Sequence, residues 1–551
     1  MQNSAISKKM LLIGLEGATF RQIKKLMQQQ KLPFFSRFYN SGVHAQLIAP
    51  YPVNRASSWA SFFSGKRPGN HNLFDFLDHH KNPAAPELLM ADSGTHKWLW
   101  DILNQTELKT IFFNIPIMSA PKAVNGVFVS GFATPEGEKI AFPDSLNKEI
   151  AKQLGHIEIG LPARKKNGDY FHTALEMAKK QFTIFRDLLT NQEWNLALLT
   201  TNILDRLLPI YWNDPDKIEH VYRELDSLLA MIEQALADDV SIIIFSNFGY
   251  SPVSKKFFVN EWLWEQGWQQ RRISTEKTFI SDIDEYFLIH ANGNGRIIPG
   301  LLAKSGLTKN NIRSLLPNNV SEILNKTVPR ALKKLFHTEY LNISWDKSKA
   351  FFFSHNLQGI QINVKGRDPQ GIVSPGREYE RFRKQIISEL FHLKDPYTFE
   401  HVFEDVFLKE EVFNGEFAQN APDIILVPRK NNYFLHPQKR TSRMCIGSAN
   451  DDNPVFAQRD NSGMFLMRSP ENAAVRKAKN IDIVDIVPTI LAYFDISEKE
   501  KFDGIVRKDL LGEIVVQLYE ETSFNFIPEE KANSLDSSSV IPAMSQRPVA
   551  P

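Results

Sequence analysis

The chain has 551 residues, of which 42% are hydrophobic and 23% are charged. This balance excludes collagen-like, coiled-coil and largely disordered chains, and the length predicts one large domain with insertions, or two domains. Lys and Arg number 65 against 63 Asp and Glu, and the net charge of +2 excludes a global field that would attract nucleic acid or an anionic membrane.

The N-terminus superficially resembles a targeting segment, because Lys8 and Lys9 precede the apolar run 10–15. That run is too short for a signal peptide and ends at Glu16, so it predicts a buried strand. No window holds the ~20 apolar residues that a membrane helix needs. The single cysteine, Cys445, excludes an internal disulfide and fits a reducing compartment. We therefore predict a cytoplasmic protein with no nucleic-acid or membrane partner.

Strand and helix patterns alternate through the first half of the chain. Short apolar or β-rich runs predict strands at 10–15, 110–115, 196–200 and 240–246. Apolar residues at helical spacing predict helices at 20–32, 98–103, 170–189 and 218–236. This alternation predicts an α/β fold with a mostly parallel central sheet and helices on both faces.

The pattern changes in the middle of the chain. Residues 288–358 combine basic helical patterns with loop signals such as Asn-Gly-Asn-Gly, and they predict an inserted cap or helical segment. Strand patterns return at 359–364, 423–427 and 464–467, and a late helix is predicted at 481–494. We therefore expect an α/β core in two parts, 1–287 and 359–518. Residues 519–551 are rich in Ser, Pro and Ala and predict a largely disordered tail.

Several short motifs follow one another along most of the chain. They are 13–19 (Ile-Gly-Leu-Glu-Gly-Ala-Thr), 58–65 (Ser-Trp-Ala-Ser-Phe-Phe-Ser-Gly), 68–71 (Pro-Gly-Asn-His), 74–76 (Phe-Asp-Phe), 114–116 (Asn-Ile-Pro), 129–135 (Val-Ser-Gly-Phe-Ala-Thr-Pro), 363–373 (Asn-Val-Lys-Gly-Arg-Asp-Pro-Gln-Gly-Ile-Val), 421–423 (Ala-Pro-Asp) and 485–491 (Asp-Ile-Val-Pro-Thr-Ile-Leu). In this order they resemble the alkaline phosphatase superfamily, and within it the type I phosphodiesterase/nucleotide pyrophosphatase-like branch of phosphohydrolases and phosphomutases. The resemblance implies an alkaline-phosphatase-like fold, which agrees with the strand and helix patterns.

The resemblance also implies a particular chemistry. Two zinc-like ions lie about 3.5–4 Å apart and clamp a phosphate, while the hydroxyl of a Thr or Ser attacks it in line. Asp and His side chains at the carboxyl ends of strands bind these ions. Each of these positions in the present chain can therefore be compared with what the chemistry requires.

The first two positions are the first metal ligand and the nucleophile. Glu16 stands where the family has an Asp, so the carboxylate remains but is one methylene longer. Arg55 stands at the nucleophile position, four residues before Trp59, and an arginine stays protonated and cannot attack. Ser57 and Ser58 lie close by and are candidates for a substitute nucleophile, but we favour the interpretation that one of them caps the following short helix.

Two further motifs have lost their histidines. In the family's Asp-Arg-x-Gln-His motif, the Asp and the His share one helical face, and here Asp205 remains while Pro209 replaces the His. The family's Ser-Asp-His-Gly motif carries Asn247 and Phe248 at its two central positions. Asparagine is a poor zinc ligand and phenylalanine is none.

The last family ligand is the His of a His-Arg-x-x-Gly motif. Counting back from Gly463 places Arg459 at that position. A one-residue slip would place Gln458 or Asp460 there, and neither restores the imidazole. The nucleophile and all three family histidines are therefore missing, and we do not expect the ancestral reaction at this site.

The remaining charges suggest what replaced the metal ions. Two carboxylates, Glu16 and Asp205, face two guanidiniums, Arg55 and Arg459, so that the formal charges sum to zero. We infer that the arginines took over the electrostatic role of the ions, since unpaired buried carboxylates would be costly. The alternative is that both arginines point to solvent. Fully paired arginines would make a closed structural relic, whereas a partly free guanidinium would bind phosphate, sulfate or carboxylate.

Three functional hypotheses follow. The first is a catalytically degenerate member that binds or scaffolds without a cofactor, its partner being an unknown small anion or a protein, with a degenerate or anion-binding site formed by Glu16, Arg55, Asp205, Asn247 and Arg459. The second is an active phosphohydrolase or phosphodiesterase with two zinc or manganese ions on the atypical ligands Glu16, Asp205 and Asp460. The third is a different enzyme acting on a phosphorylated or sulfated substrate.

Overall fold

The computed structural model of the chain describes residues 8–78, 87–91, 96–131, 134, 138–154, 170–271, 343–429, 432–437, 445–448, 456–470 and 476–511. Within the predicted insertion, residues 288–342 lie outside the described residues, and so does the whole predicted tail at 519–551. No helix in the described part of the chain is long and apolar enough to cross a bilayer.

The strands of the described residues are short, as the β-rich runs predict. In chain order they are β1 (Met10–Leu15), β2 (Val43–Ile48), β3 (Leu77–Asp78), β4 (Glu87–Leu88), β5 (Thr110–Ile115), β6 (Gly126–Ser130), β7 (Ala141–Phe142), β8 (Leu196–Thr201), β9 (Ser241–Ser246), β10 (Gly249–Pro252), β11 (Lys255–Phe258), β12 (Ala350–Phe352), β13 (Gly359–Ile362), β14 (Phe403–Leu408), β15 (Ile424–Pro428), β16 (Tyr433–His436), β17 (Ile446–Ser448), β18 (Ala457–Asp460), β19 (Ser462–Arg468), β20 (Arg476–Lys477) and β21 (Ile481–Asp482).

The α-helices alternate with these strands in the first half. They are α1 (Phe20–Gln28), α2 (Pro33–Tyr39), α3 (Arg55–Ser64), α4 (Pro68–His71), α5 (Leu99–Leu103), α6 (Asp144–Leu154), α7 (Tyr170–Asn191), α8 (Ile203–Tyr211), α9 (Pro215–Glu233), α10 (Val259–Glu265), α11 (Arg377–Phe391), α12 (Lys409–Val412) and α13 (Ile486–Tyr493). The helix predicted at 20–32 is present as α1 but ends at Gln28, four residues earlier than predicted, and Pro33 begins a separate helix, a position where its missing N–H costs nothing.

A ten-stranded sheet forms the centre of the molecule, in the order β20-β2-β19-β9-β1-β8-β5-β6-β7, with β21 also paired to β2. Six of its nine described pairings are parallel, and the antiparallel ones involve β19 and β7. Leu11 and Ile13 pack into the hydrophobic core on one face, and Met10 and Leu12 into the core on the other. Helices cover both faces, which confirms the predicted α/β class with its mostly parallel sheet.

Two smaller sheets lie beside the central one. A four-stranded sheet has the order β12-β13-β15-β14, and a three-stranded sheet has the order β16-β11-β17. Their inner faces share a hydrophobic core with α10 and α11. Residues 350–352, inside the predicted insertion, thus form a strand of the four-stranded sheet.

Candidate functional site

The candidate site lies at the carboxyl edge of the central sheet. Strand β1 lies between β8 and β9, and Glu16 follows it directly. The backbone N–H of Glu16 donates to the carbonyl of Thr201 at the end of β8 (3.0 Å), and the N–H of Asp205 in α8 donates to the Glu16 carbonyl (3.1 Å). Two acidic residues from separate strand–helix turns are therefore fixed side by side by the backbone alone.

Glu16 is held by a buried arginine. The Arg55 Nε and Nη2 atoms donate to the two carboxylate oxygens of Glu16 at 2.5 and 3.0 Å, and Trp59 Nε1 donates to Oε1 at 2.9 Å. Both charged side chains are 1% exposed. This is a two-point, charge-assisted pair, the geometry that the planar guanidinium allows and an ammonium does not.

Arg55 reaches Glu16 because it is the first residue of α3. The predicted cap at Ser57 or Ser58 is wrong, since the helix begins before both serines and Asn54 caps it, accepting from the N–H of Ser57 at 2.9 Å. The partial positive charge of a helix N-terminus opposes a cation there, and the Glu16 carboxylate offsets both charges.

The second carboxylate has its own arginine. Arg459 Nε and Nη2 donate to the Asp205 carboxylate at 2.8 and 2.9 Å, and the Tyr250 hydroxyl donates to Asp205 Oδ1 at 2.7 Å. Burial raises the pKa of Asp205, but the guanidinium of Arg459, with smaller contributions from Arg55 and Arg206, more than offsets it and holds that pKa well below its usual range. Asp205 therefore stays ionised although it is buried.

The two ion pairs form one network. Arg55 Nε lies 3.9 Å from Asp205 Oδ2, so it contacts both carboxylates. Arg459 stacks on the fully buried ring of Phe248, 5.3 Å from its centroid, and donates to Asn356 Oδ1 at 3.3 Å. The Arg459 side chain is 15% exposed, so the network is buried except at its edge, where Arg459 reaches the surface.

Asn247 is buried near this network without joining it. It follows β9, and continuing the pairing of Met10 with Ser241 along the strands would set it opposite Glu16. Its side chain is 0% exposed, and neither its amide nitrogen nor its amide oxygen has a hydrogen-bond partner among the described residues. Pro209 lies within α8, and its carbonyl accepts from the N–H of Phe456 at 3.1 Å.

Asp460 does not join Glu16 and Asp205. It is adjacent to Arg459 on β18, and neighbouring residues of a strand point to opposite faces. Its carboxylate accepts instead from the Ser251 hydroxyl and from the N–H of Ser462, the latter at 2.8 Å. Across the described ranges, no group of three or more His, Cys, Asp or Glu residues is arranged to hold a metal ion.

Three residues of the network were missed in the sequence. Trp59 lies one helical turn after Arg55, so helical spacing could have indicated that both face Glu16. Tyr250 follows the Asn-Phe-Gly run by one residue, and its hydroxyl reaches Asp205. Asn356 comes from the chain leading into β13, and no local pattern points to it.

A family model for type I phosphodiesterase / nucleotide pyrophosphatase matches residues 10–452. The chain is similar to the structure of phosphonoacetate hydrolase from Sinorhizobium meliloti 1021, with a TM-score of 0.52, 11% identity, and coverage of 87% of this chain and 94% of that one. This likeness supports the fold alone.

Two other similar structures are the murine and human ectonucleotide pyrophosphatase / phosphodiesterase 5, with TM-scores of 0.47 and 0.46 and identities of 12% and 13%. Each comparison covers 90% of this chain and 97% of the other. A search of curated proteins found no significant match.

Proposed function

Because the chain belongs to the type I phosphodiesterase / nucleotide pyrophosphatase family, we propose that it keeps the family's fold without its phosphoryl-transfer reaction and acts by binding, as a scaffold. The observation that carries this proposal is the buried network of Glu16, Arg55, Asp205 and Arg459. At the positions that the resemblance assigns to the family's nucleophile and metal ligands, this chain has two cations already paired with two carboxylates.

The residues present do not fit the zinc ions on which members of this family typically depend. A zinc ion needs lone pairs, and the guanidiniums of Arg55 and Arg459 offer only N–H donors and a positive charge. Glu16 and Asp205 direct their carboxylate oxygens to these donors, and Phe248 has no ligand atom. On this proposal, no catalytic step at this site uses a metal ion.

The geometry favours the closed form of the site over an anion-binding pocket. Each guanidinium makes two hydrogen bonds to a carboxylate, and Arg55 is 1% exposed. An added phosphate or sulfate would have to displace Glu16 or Asp205 and leave a buried carboxylate unpaired. The binding function thus resides on another surface, and the partner, like the cytoplasmic location, stays a prediction.

An active enzyme with atypical ligands is the alternative to be tested. The experiment is elemental analysis of protein purified without chelators, together with assays of aryl phosphate monoesters and diesters in added zinc or manganese. We expect metal far below one ion per chain and no hydrolysis above buffer. A metal-dependent phosphodiesterase assayed in parallel shows that substrates and metals are competent.

Near-stoichiometric zinc or manganese, together with turnover that a chelator abolishes, would overturn the proposal. A matched variant separates turnover at this site from a contaminant. Glu16→Gln removes one of the two site carboxylates and retains an acceptor for Trp59. Turnover that survives this change does not come from this site.

A further inference from the structure

The most exposed large hydrophobic side chains of the described residues cluster at one loop. Phe391 ends α11 and is 36% exposed, while Tyr397 and Phe399 in the following loop are 66% and 75% exposed. We name these three residues the aromatic tip. Scattered exposed apolar residues are normal, but three large exposed rings within nine residues of the chain are a concentration of the kind found at binding surfaces.

Buried hydrogen bonds fix the loop that carries the tip. Asp395 is 0% exposed, and its carboxylate accepts from the N–H groups of Tyr397 (2.8 Å) and Thr398 (3.3 Å) and from the Tyr433 hydroxyl (2.6 Å). The backbone closes the turn, because the N–H of Phe399 donates to the Asp395 carbonyl at 2.8 Å. The rings are therefore presented on a rigid support, which lowers the entropy cost of binding.

Phe399 also adopts an unfavourable backbone conformation. Its φ of 58° lies in the left-handed region, which aromatic residues rarely adopt and which Asn and Gly tolerate. An exposed ring contributes little to the stability of its own fold, so it does not offset the cost of the strained backbone. Such outliers persist where they serve a function, and here the fold holds the ring outward.

The charges around the tip have both signs. Lys384, Lys394, Glu389 and Glu400 are all exposed, and Glu400 lies 3.5 Å from Arg429. A strongly anionic or cationic partner would meet like charges here, whereas a second copy presents the same balanced charges with no excess of either sign.

The area available also suits a dimer. Aromatic side chains bury about 150–250 Å² each, so the exposed parts of the three rings supply roughly a third to a half of the ~800 Å² per partner in a standard interface. Flanking exposed residues of α11 and the loop can supply the remainder. We propose that the aromatic tip is a self-association surface through which two copies of this chain form a two-fold dimer.

Sedimentation velocity tests this proposal on the full chain, from about 1 to about 100 μM, the range in which a small interface dissociates. We expect the wild type to pass from monomer to dimer and the double variant Tyr397→Ser/Phe399→Asn to stay monomeric. Asparagine tolerates the left-handed backbone at position 399, so at about 1 μM, where both proteins are monomeric, the variant should melt at or above the wild-type temperature. Gln28→Ser/Gln153→Ser, two exposed changes outside the tip, is the matched control and should still dimerise.

A second measurement locates the contact directly. In a Cys445→Ser background, oxidation with copper-phenanthroline should link the Thr398→Cys variant into a disulfide dimer, whereas Gln153→Cys should stay monomeric. A wild type that stays monomeric throughout, or a tip variant that still dimerises, overturns the proposal. So does a monomeric wild type whose tip variant melts at a lower temperature, because the rings would then be covered by their own chain.

Discussion

At the scale of single residues, the candidate site depends on the shape of arginine. Arg55 makes two hydrogen bonds to Glu16 and also lies 3.9 Å from Asp205, so one side chain contacts both carboxylates. A lysine ammonium is a compact point charge and cannot present two parallel N–H groups to a carboxylate. The pairing of both carboxylates with one side chain therefore depends on the residue type as well as on its charge.

Removing Arg55 should strongly destabilise the fold. Arg55→Met leaves the buried Glu16 carboxylate uncompensated, and breaking a buried ion pair from one side costs about 3–5 kcal/mol in the free energy of unfolding. Urea unfolding monitored by tryptophan fluorescence measures this loss. The double variant Glu16→Gln/Arg55→Met removes both charges and retains an acceptor for Trp59, so it should be more stable than Arg55→Met alone.

Arg459→Met provides a graded comparison. Its side chain is 15% exposed, so water can partly replace it at Asp205, and we expect a smaller loss of stability than for Arg55→Met. A loss below about 1 kcal/mol for Arg55→Met, the value of a surface pair, would contradict the assignment of a buried network.

How far the sequence predicts the site depends on how local each contact is. Counting positions within motifs singled out Glu16, Arg55, Asp205 and Arg459, and the structure brings these four into contact. The same counting also placed Asp460 among the candidate ligands, and strand alternation turns it away. Asn356 could not be found, because its contact with Arg459 depends on how the smaller sheets pack against the central one.

At the scale of elements, the short segment before α13 carries a titratable contact. Asp485 ends a short 3-10 helix (Ile483–Asp485) before α13 and accepts from the N–H of Ile505 at 2.9 Å. Burial, and then the charge of Asp482, raises the pKa of Asp485 to about 7. The folded state therefore binds this proton up to near-neutral pH, whereas the unfolded chain releases it near pH 4.

The stability contributed by this proton is complete below about pH 4 and is lost as the pH rises through about 7. The difference in unfolding free energy between wild type and Asp485→Asn isolates this carboxyl group, because the contributions of groups present in both proteins cancel. One such group is His71: burial holds its pKa well below its usual range, so its effect on stability has the opposite pH dependence. We expect the wild type to lose up to roughly 4 kcal/mol of unfolding free energy, relative to Asp485→Asn, between about pH 4 and about pH 7.

The control for this experiment is Asp482→Asn, which removes the neighbouring charge and should move the transition to lower pH. Urea unfolding at several pH values measures both profiles. Parallel profiles for wild type and Asp485→Asn would show that this carboxyl group does not carry the effect.

Elements differ in how well local patterns predict them. The strands β1, β5, β8 and β9 match their predicted runs to within one residue, because a buried central strand is an apolar run bounded by turns. The helix predicted at 20–32 continued a helical pattern across residues where the chain turns, with Gln30 at φ 59°. The prediction therefore ran four residues past the end of α1, and Pro33 marks the start of α2.

At the scale of the whole molecule, the network joins elements that are far apart in sequence. Glu16 follows β1, Arg55 begins α3, Asp205 lies in α8 and Arg459 in β18. The order of motifs along the chain predicted the fold, since it constrains many elements at once. The strand pairing of the smaller sheets is harder to predict from the sequence, because β11 pairs with strands nearly 200 residues later in the chain.

Restoring the family residues tests the network as a unit. We propose a quintuple variant, Arg55→Thr/Pro209→His/Asn247→Asp/Phe248→His/Arg459→His. It removes both guanidiniums, and its three new His and one new Asp make six potential metal ligands together with Glu16 and Asp205. We expect zinc to raise its melting temperature, since a ligand at 100 times its dissociation constant stabilises by about 2.7 kcal/mol. The quadruple variant that keeps Arg55 retains a cation at the centre of the site, so zinc should not raise its melting temperature. Equal stabilisation of the wild type by zinc would contradict this expectation.

Arg55 also determines what the fold needs from its surroundings. The guanidinium of an arginine side chain is covalently part of the protein, so a chelator cannot remove it and a competing ion cannot replace it. EDTA should therefore leave the melting temperature unchanged, and this can be read by differential scanning fluorimetry. The chain would fold equally well under conditions of metal starvation, in which relatives that require zinc lose their ions.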